Sequence, residues 1–172
     1  AVQTRINAET MNEDGSARAS AGTLTTFAPA QGTGIRIDSG VAAGDSLNPA
    51  FDSLIAKLIV HSPRSDWASA VTRTSRALAE FRIEGVATNV DYLRALLDSD
   101  AIAGNALHTR LVDELGPQLL EKAQALASER HVDDASGETG STPRPQAPAG
   151  AETVVAPMPG SVVSLDVALG EQ

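Results

Sequence analysis

The chain has 172 residues, 13 basic and 22 acidic side chains for a net charge of −9, five aromatics and no cysteine. That length holds one domain of roughly 100–150 residues with a tail. The acidic balance and the two lysines, Lys57 and Lys122, argue against nucleic acid as a partner, and the lack of cysteine excludes disulfides, a thiol nucleophile and thiolate metal sites.

No apolar run approaches the roughly 20 residues of a membrane span, so no membrane partner is expected. The opening AVQTRINAET has neither the basic start nor the apolar run of a signal peptide, which makes the cytoplasm the expected location. Residues 1–9 alternate Val2, Thr4 and Ile6 with Gln3, Arg5 and Asn7, the period of a half-buried strand. Residues 11–22 are polar and glycine-bearing and read as a loop. GTLTTF (22–27) and GIRID (34–38) are β-branched and bounded by Gly or Pro, and each reads as one strand. DSLIAKLIVH (52–61) reads as a buried strand entered through a short helical turn.

Residues 66–80 read as a helix capped by Asp66, with Trp67, Ala70, Val71, Ser75, Leu78 and Phe81 on its apolar side. Gly85 ends that pattern. Asn89 reads as a second cap ahead of Val90, Leu93, Leu96 and Leu97. Two further helical pieces are expected over 109–115 and 118–130, separated by Gly116 and Pro117. From 131 to 152 there is no Leu, Ile, Met or aromatic residue, which predicts a flexible linker stiffened by Pro143, Pro145 and Pro148. Strands followed by helices give an α+β class rather than alternating βαβ units.

Few residues carry chemistry. His61, His108 and His131 lack the spacing that places two ligands on one helix face. Gly32 and Gly34 precede a strand instead of opening a helix, so they read as a turn needing positive φ and not as a phosphate cradle. Arg36 sits mid-strand with Ile35 and Ile37 facing the other way. Its guanidinium stays charged and offers a fixed fork of donors, which suits an anion; a surface ion pair with Asp38 fits the same pattern.

Four segments together go further. AVQTRINAE, GTGIRIDSG, FDSLIAKLIV and ALAEFRIEGVATNVDYLRALL, in this order, resemble the C-terminal subdomain of biotin carboxylase. After the linker, VVAPMPGSVV is similar to the first strand and turn of a biotinyl (biotin carboxyl carrier) domain. The resemblance implies an antiparallel sheet packed with helices, of the rudiment single hybrid motif type, over residues 1–116. A helical tail and Pro/Ala/Gly linker would follow over 117–152, and the start of an all-β biotinyl domain over 153–172. The biotin-bearing lysine of such domains lies in an A-M-K-M motif that this chain does not reach, so a piece of a longer subunit, truncated at both ends, is expected.

The resemblance also implies a reaction. Biotin carboxylases of the ATP-grasp type use ATP and Mg²⁺ to activate bicarbonate, as carboxyphosphate, and carboxylate biotin N1′; the carboxyl group then passes to an acyl-CoA, pyruvate or urea acceptor. Arg36 occupies the position of the arginine that stabilises the biotin ureido enolate, where a fixed cation lowers the barrier. In LHTRLVDE, Leu107, His108 and Thr109 match a segment that edges the adenine pocket, although Arg110 follows the threonine and Leu111 replaces a common aromatic. No metal ligand is implied within this chain; the Mg²⁺ and ATP groups of the family lie upstream, and biotin would be attached beyond the C-terminus. The implied partners are the rest of the ATP-grasp domain, the carrier domain and a carboxyltransferase, in a homodimer or larger assembly. Phe51 stands where the family carries a tyrosine, and Asp52 and Lys57 read as structural. The long loop over 11–22 suits the acyl-CoA carboxylase or multidomain branch. A non-catalytic role competes with this one, an assembly and swivel module with the 66–80 helix at a subunit interface and Arg64 and Trp67 as contacts.

Overall fold

The computed structural model describes residues 1–12 and 16–134. The central element is a three-stranded antiparallel sheet in the order β1 (Val2–Asn7), β8 (Leu54–Val60), β6 (Ile35–Ser39). Three antiparallel pairs surround it: β2 (Glu9–Met11) with β3 (Ala17–Ala19), β4 (Gly22–Thr23) with β7 (Ser46–Leu47), and β5 (Thr26–Ala28) with β9 (Arg82–Glu84). The helices are α1 (Trp67–Glu80), α2 (Val90–Leu97), α3 (Asp100–Ala103) and α4 (Leu111–Asp134). This is the α+β arrangement expected, small antiparallel sheets packed with helices.

The register explains the two faces of the central sheet. Thr4 pairs with Leu58, Ile6 with Ala56, Ile35 with Val60 and Ile37 with Leu58, and directly paired residues share a face. Ile6, Ala56, Leu58 and Val60 are fully buried there, joined in the core by Leu24, Leu78, Phe81 and Val90. The opposite face carries Gln3, Arg5, Arg36, Asp38, Lys57 and Ile59, paired as Gln3–Ile59, Arg5–Lys57, Arg36–Ile59 and Asp38–Lys57. The alternation legible in residues 1–9 and 34–38 is therefore this burial pattern.

Helix α1 begins as expected, with Asp66 Oδ1 accepting from Ser69 N at 2.6 Å. Its buried side includes Thr74 rather than Ser75; Thr74 is fully buried because its hydroxyl returns to the Ala70 carbonyl at 2.8 Å. Trp67 packs against the core while its Nε1 donates to the Ile102 carbonyl at 2.6 Å, tying α1 to α3.

Several local expectations are corrected by tertiary partners. Part of the expected loop 11–22 forms the β2–β3 hairpin; β3 is exposed along its length, so it carries no apolar alternation to read. The expected strand 22–27 is two strands with different partners, because Leu24 turns fully into the core between them. Strand β8 has no helical turn at its entry: the Asp52 carboxylate accepts from Leu54 N at 3.2 Å and the chain enters extended. Asn89 does precede α2, but its side chain caps nothing. It accepts from Asn7 N at 2.9 Å and donates to the Arg5 carbonyl at 3.2 Å, holding α2 against β1.

The two helical pieces expected around Gly116 and Pro117 are one helix, α4, with Pro117 inside it. Proline removes a bond to the residue four earlier, here the exposed Asp113. Burial of Leu119 and Ala123 against Tyr92 and Ala95 of α2 offsets that loss. The helix also runs through residues 131–134, the first four of the expected linker. The remainder of that linker and the biotinyl-like segment lie outside the described residues. Among the described residues, no helix is long and apolar enough to cross a membrane.

Phe81 follows α1, is 1% exposed, and meets Phe27 of β5 edge to face with ring centroids 6.3 Å apart. Truncating such a ring leaves a cavity that the surrounding strands and helices cannot close. Phe81→Ala is expected to lower unfolding free energy by about 3–5 kcal/mol in urea titrations; a change below about 1 kcal/mol would place the core elsewhere.

Candidate functional site

The open face of the central sheet is the strongest candidate, and β6 positions its principal side chain. Gly34 enters the strand at φ +78°, and its carbonyl accepts from His61 N at 2.8 Å at the far end of β8. A Cβ at Gly34 would lie 2.7 Å from the His61 carbonyl oxygen, so the approach of the two chains requires glycine. The expected positive-φ turn at Gly32 and Gly34 is thus present, with φ values of +144° and +78°. Ser39 closes the strand: its hydroxyl donates to the Ile55 carbonyl at 3.0 Å and accepts from Val41 N at 3.2 Å. Both ends of IRIDS are therefore anchored to β8 or to the following turn.

Between these anchors, Arg36 and Asp38 point to the same side of the strand and form a two-bond pair. Arg36 Nε donates to Asp38 Oδ1 at 2.8 Å and Nη2 to Oδ2 at 2.9 Å. The Arg36 side chain remains 74% exposed. The hydrogen bond from Arg36 holds the Asp38 carboxyl below the usual carboxylate range; it outweighs the opposing effect of burial, and the charges of Arg36 and Lys57 add lesser lowering contributions. Reciprocally, the hydrogen bond to Asp38 and its charge raise the Arg36 pKa. The pair restricts the guanidinium and leaves Nη1 outside it. Arg5 on the same face reaches Asp52 at 3.4 Å, so Asp52 serves both as the entry cap of β8 and as the partner of an exposed arginine.

Leu107, His108 and Thr109 occupy the exposed connection between α3 and α4. The His108 carbonyl accepts from Leu111 N at 3.2 Å, and its ring lies 3.7 Å from Glu114. Leu111 is buried in the core, while Leu107 is 50% exposed. Among the described residues, no hydrogen bond or ion pair joins this segment to Arg36. The two stand on separate elements.

The residues that bear the sequence motifs meet in a network that sequence reasoning missed. Asn7 Nδ2 donates to Glu9 Oε1 at 3.1 Å, Ser53 Oγ donates to the same oxygen, and Asn7 N reaches Asn89 Oδ1. RINAE, FDS and ATN are thereby joined across more than 80 positions of chain. Their spacing in sequence carried no signal of this contact; polar residues beside apolar strands were the sole hint. Trp67, a candidate subunit contact only in the competing assembly reading, is half-buried within its own chain, as ordinary packing would have it.

No group of three or more histidine or acidic side chains gathers at metal-binding distance among the described residues. Arg36 Nη1 lies outside the Asp38 pair and the side chain is exposed, which leaves a cationic N–H donor available to an oxygen of a bound group. Replacing Gly34 with alanine would force β6 away from His61 and disturb the base of Arg36. Gly34→Ala is expected to cost on the order of 1–3 kcal/mol of stability by chemical denaturation, and an unchanged midpoint would contradict the close approach.

Comparison with known proteins places this architecture. The family model of the biotin carboxylase C-terminal domain matches residues 3–114. The chain is 38% identical to the alpha3 subunit of a biotin-dependent acyl-coenzyme A carboxylase of Mycobacterium leprae, over 66% of this chain and 19% of that protein. It is 35% identical to mitochondrial pyruvate carboxylase of Mus musculus, over 70% of this chain and 10% of that one. Among solved structures, a single-chain, multi-domain long-chain acyl-CoA carboxylase superimposes with a TM-score of 0.66 at 44% identity, over 72% of this chain and 12% of that chain. The biotin carboxylase domain dimer of Hydrogenobacter thermophilus 2-oxoglutarate carboxylase, in complex with MgADP, ADP and bicarbonate, gives 0.62 at 32% identity, over 69% of this chain and 25% of that one. The chain thus spans between 10% and 25% of the length of these four proteins. On the match of its sequence and of its fold, the chain belongs to the biotin carboxylase C-terminal domain family.

Proposed function

We propose that this chain supplies one wall of the active site in a biotin-dependent carboxylase and that Arg36 is its catalytic contribution. The observation that carries the reading is the exposed Arg36 guanidinium, held by two hydrogen bonds to Asp38 on a strand anchored at both ends. Biotin, when bound, supplies the N1′ nucleophile that accepts the carboxyl group. Arg36 places a permanent positive charge and a free N–H donor at the ureido oxygen, where negative charge develops as N1′ loses its proton. A cation already in position stabilises that charge without reorganising during the step. Asp38 is a positioning residue: it fixes the guanidinium plane and leaves the donor of Nη1 to the substrate. Leu107 and the backbone of His108 and Thr109 would border the adenine of ATP from the α3–α4 connection.

The groups that hold Mg²⁺ and the ATP phosphates, and the lysine that bears biotin, belong to other parts of the enzyme. The carboxyltransferase then sets the acceptor, an acyl-CoA or a related acid. The 44% identity to the long-chain acyl-CoA carboxylase, against 30–38% for the pyruvate carboxylases, supports an acyl-CoA acceptor. The same reading gives fatty-acid metabolism as the setting and the cytoplasm as the compartment. An assembly role for α1 has less support, because Trp67 is committed to Ile102 within the chain.

Two measurements test this. In a carboxylase subunit carrying this domain, Arg36→Ala is expected to reduce biotin carboxylation by more than about tenfold, about 1.4 kcal/mol of transition-state stabilisation, with the circular dichroism spectrum unchanged; a rate like that of the unaltered enzyme would remove Arg36 from the chemistry. The purified 172-residue chain alone should show no biotin-dependent ATP hydrolysis above background in a phosphate-release assay, and measurable turnover would show that it holds a complete site.

A further inference from the structure

Away from the open sheet face, an open cleft of about 470 Å³ lies along the start of α1, lined by Ser62, Arg64, Ser69, Thr72, Arg73 and Arg76 with Pro63 and Ala68. Positions 69, 72, 73 and 76 recur at helical spacing, so two hydroxyls and two guanidiniums form one stripe on α1. Arg64 adds a third guanidinium from the β8–α1 connection. Among the described residues, none of the three is paired with a carboxylate. Arg73 is held at one end only, Nη2 donating to the Thr33 carbonyl at 2.6 Å, and its Nε is buried with no hydrogen-bond partner. Arg64 and Arg76 are exposed, and neither guanidinium makes a hydrogen bond among the described residues, although the Arg64 backbone N donates to Ser62 Oγ at 3.2 Å.

Three unpaired arginines around one cleft are unusual in a chain of net charge −9 with 13 basic residues in all. Like charges gathered with a single acid, Asp66, within reach of Arg64 repel one another, a cost that a bound anion reduces. The neighbouring acid is Asp66; it makes no hydrogen bond to Arg64, whose charge it feels only through space, and its carboxylate accepts from Ser69 N and Ser69 Oγ at 2.6 and 2.9 Å. Guanidinium forks and hydroxyls together match the oxygens of a phosphate group better than a single carboxylate, because a phosphate offers three oxygens and more than one charge. The cleft exceeds the size of one phosphate. It falls in the range of small-molecule sites. An extended nucleic acid is disfavoured, since the chain as a whole carries a net charge of −9.

We propose that the cleft formed by Arg64, Arg73, Arg76, Ser62 and Thr72 binds a small ligand bearing a diphosphate or comparable phosphate cluster, at a site separate from the Arg36 face. Arg73, anchored on Thr33, provides the fixed donor; Arg64 and Arg76 close on the ligand from the two ends. The shared chemistry is the phosphate cluster, whether free or part of a nucleotide.

Isothermal titration calorimetry of the full chain with inorganic phosphate, pyrophosphate and ADP tests the site. Pyrophosphate is expected to bind saturably with one-to-one stoichiometry and more tightly than phosphate. Arg64→Gln and Arg76→Gln should each weaken it by about tenfold, the loss of one charge-assisted contact, with unchanged thermal unfolding. Arg18→Gln, the same charge change on exposed β3, should leave the affinity within about twofold, since the screened field of a distant surface charge is small. ADP binding more tightly than pyrophosphate supports a nucleotide occupant, and equal or weaker binding supports a free phosphate compound; both sustain the site. Absence of saturable pyrophosphate binding at millimolar concentration, or an equal loss in all three variants, would overturn it.

Discussion

Strand β8 is bonded along both edges, to β1 on one side and β6 on the other, and the rest of the domain follows from that position. Its residues alternate between two environments. Ala56, Leu58 and Val60 are fully buried beneath α1, while Lys57 and Ile59 stand on the open face with Arg36 and Asp38 paired opposite them. A slip of one residue in either pairing would exchange these sets, placing Lys57 in the core and Leu58 in water. The register is therefore tightly specified by burial. It carries the functional side chains with it, because Arg36 and Asp38 can face outward only while Ile35 and Ile37 face inward.

The motif residues divide into those that hold the frame and those left free to act. Asn7, Glu9, Ser53 and Asn89 are joined by hydrogen bonds where β1, the entry of β8 and the start of α2 meet, with Asn7 Oδ1 alone of that amide left without a partner. Bonds of this kind contribute modestly when made and cost much when one partner is removed, since a buried polar group would be stranded. Gly34 and Ser39 play a comparable part at the two ends of β6. Arg36 is different: its bonds go to a neighbour on its own strand and link no two elements. A rigid surround with one exposed, oriented cation is what electrostatic catalysis asks of a domain that contributes a single group to a larger site.

Two concentrations of positive charge emerge in an acidic chain, one on the open sheet face and one along α1. They are built differently. On the sheet, Arg5 and Arg36 each have a carboxylate partner, which holds them in place at little net cost. Along α1 none of the three arginines is hydrogen-bonded to a carboxylate, Asp66 acting on Arg64 only through space, and Arg73 is restrained by a backbone carbonyl instead. Pairing with acids suits a group that must be oriented before its substrate arrives; unpaired cations suit a site whose counter-charge comes with the ligand.

Much of this was legible in the sequence, and the failures share a cause. The alternation in residues 1–9 and 34–38, the apolar run of β8, the Asp66 cap and the α1 periodicity are local signals, set by side-chain period and capping chemistry, and they appear in the structure within a residue or two. Four ordered motifs were enough to mark the family, because their order and spacing reflect one particular packing. By contrast, the split at Leu24, the β2–β3 hairpin, β9 and the continuity of α4 through Pro117 depend on partners distant in sequence. So does Asn89, which the sequence presents as a helix cap and the fold uses as a clasp for β1. The sequence alone determined by period the strands β1, β6 and β8 and the helices α1 and α2, and that Arg36 points away from the core. Only the tertiary structure decided what Arg36 is held by, which motif residues are frame and that three arginines from α1 and its approach share a cleft, because burial and long-range hydrogen bonds outweigh local preference wherever the two disagree.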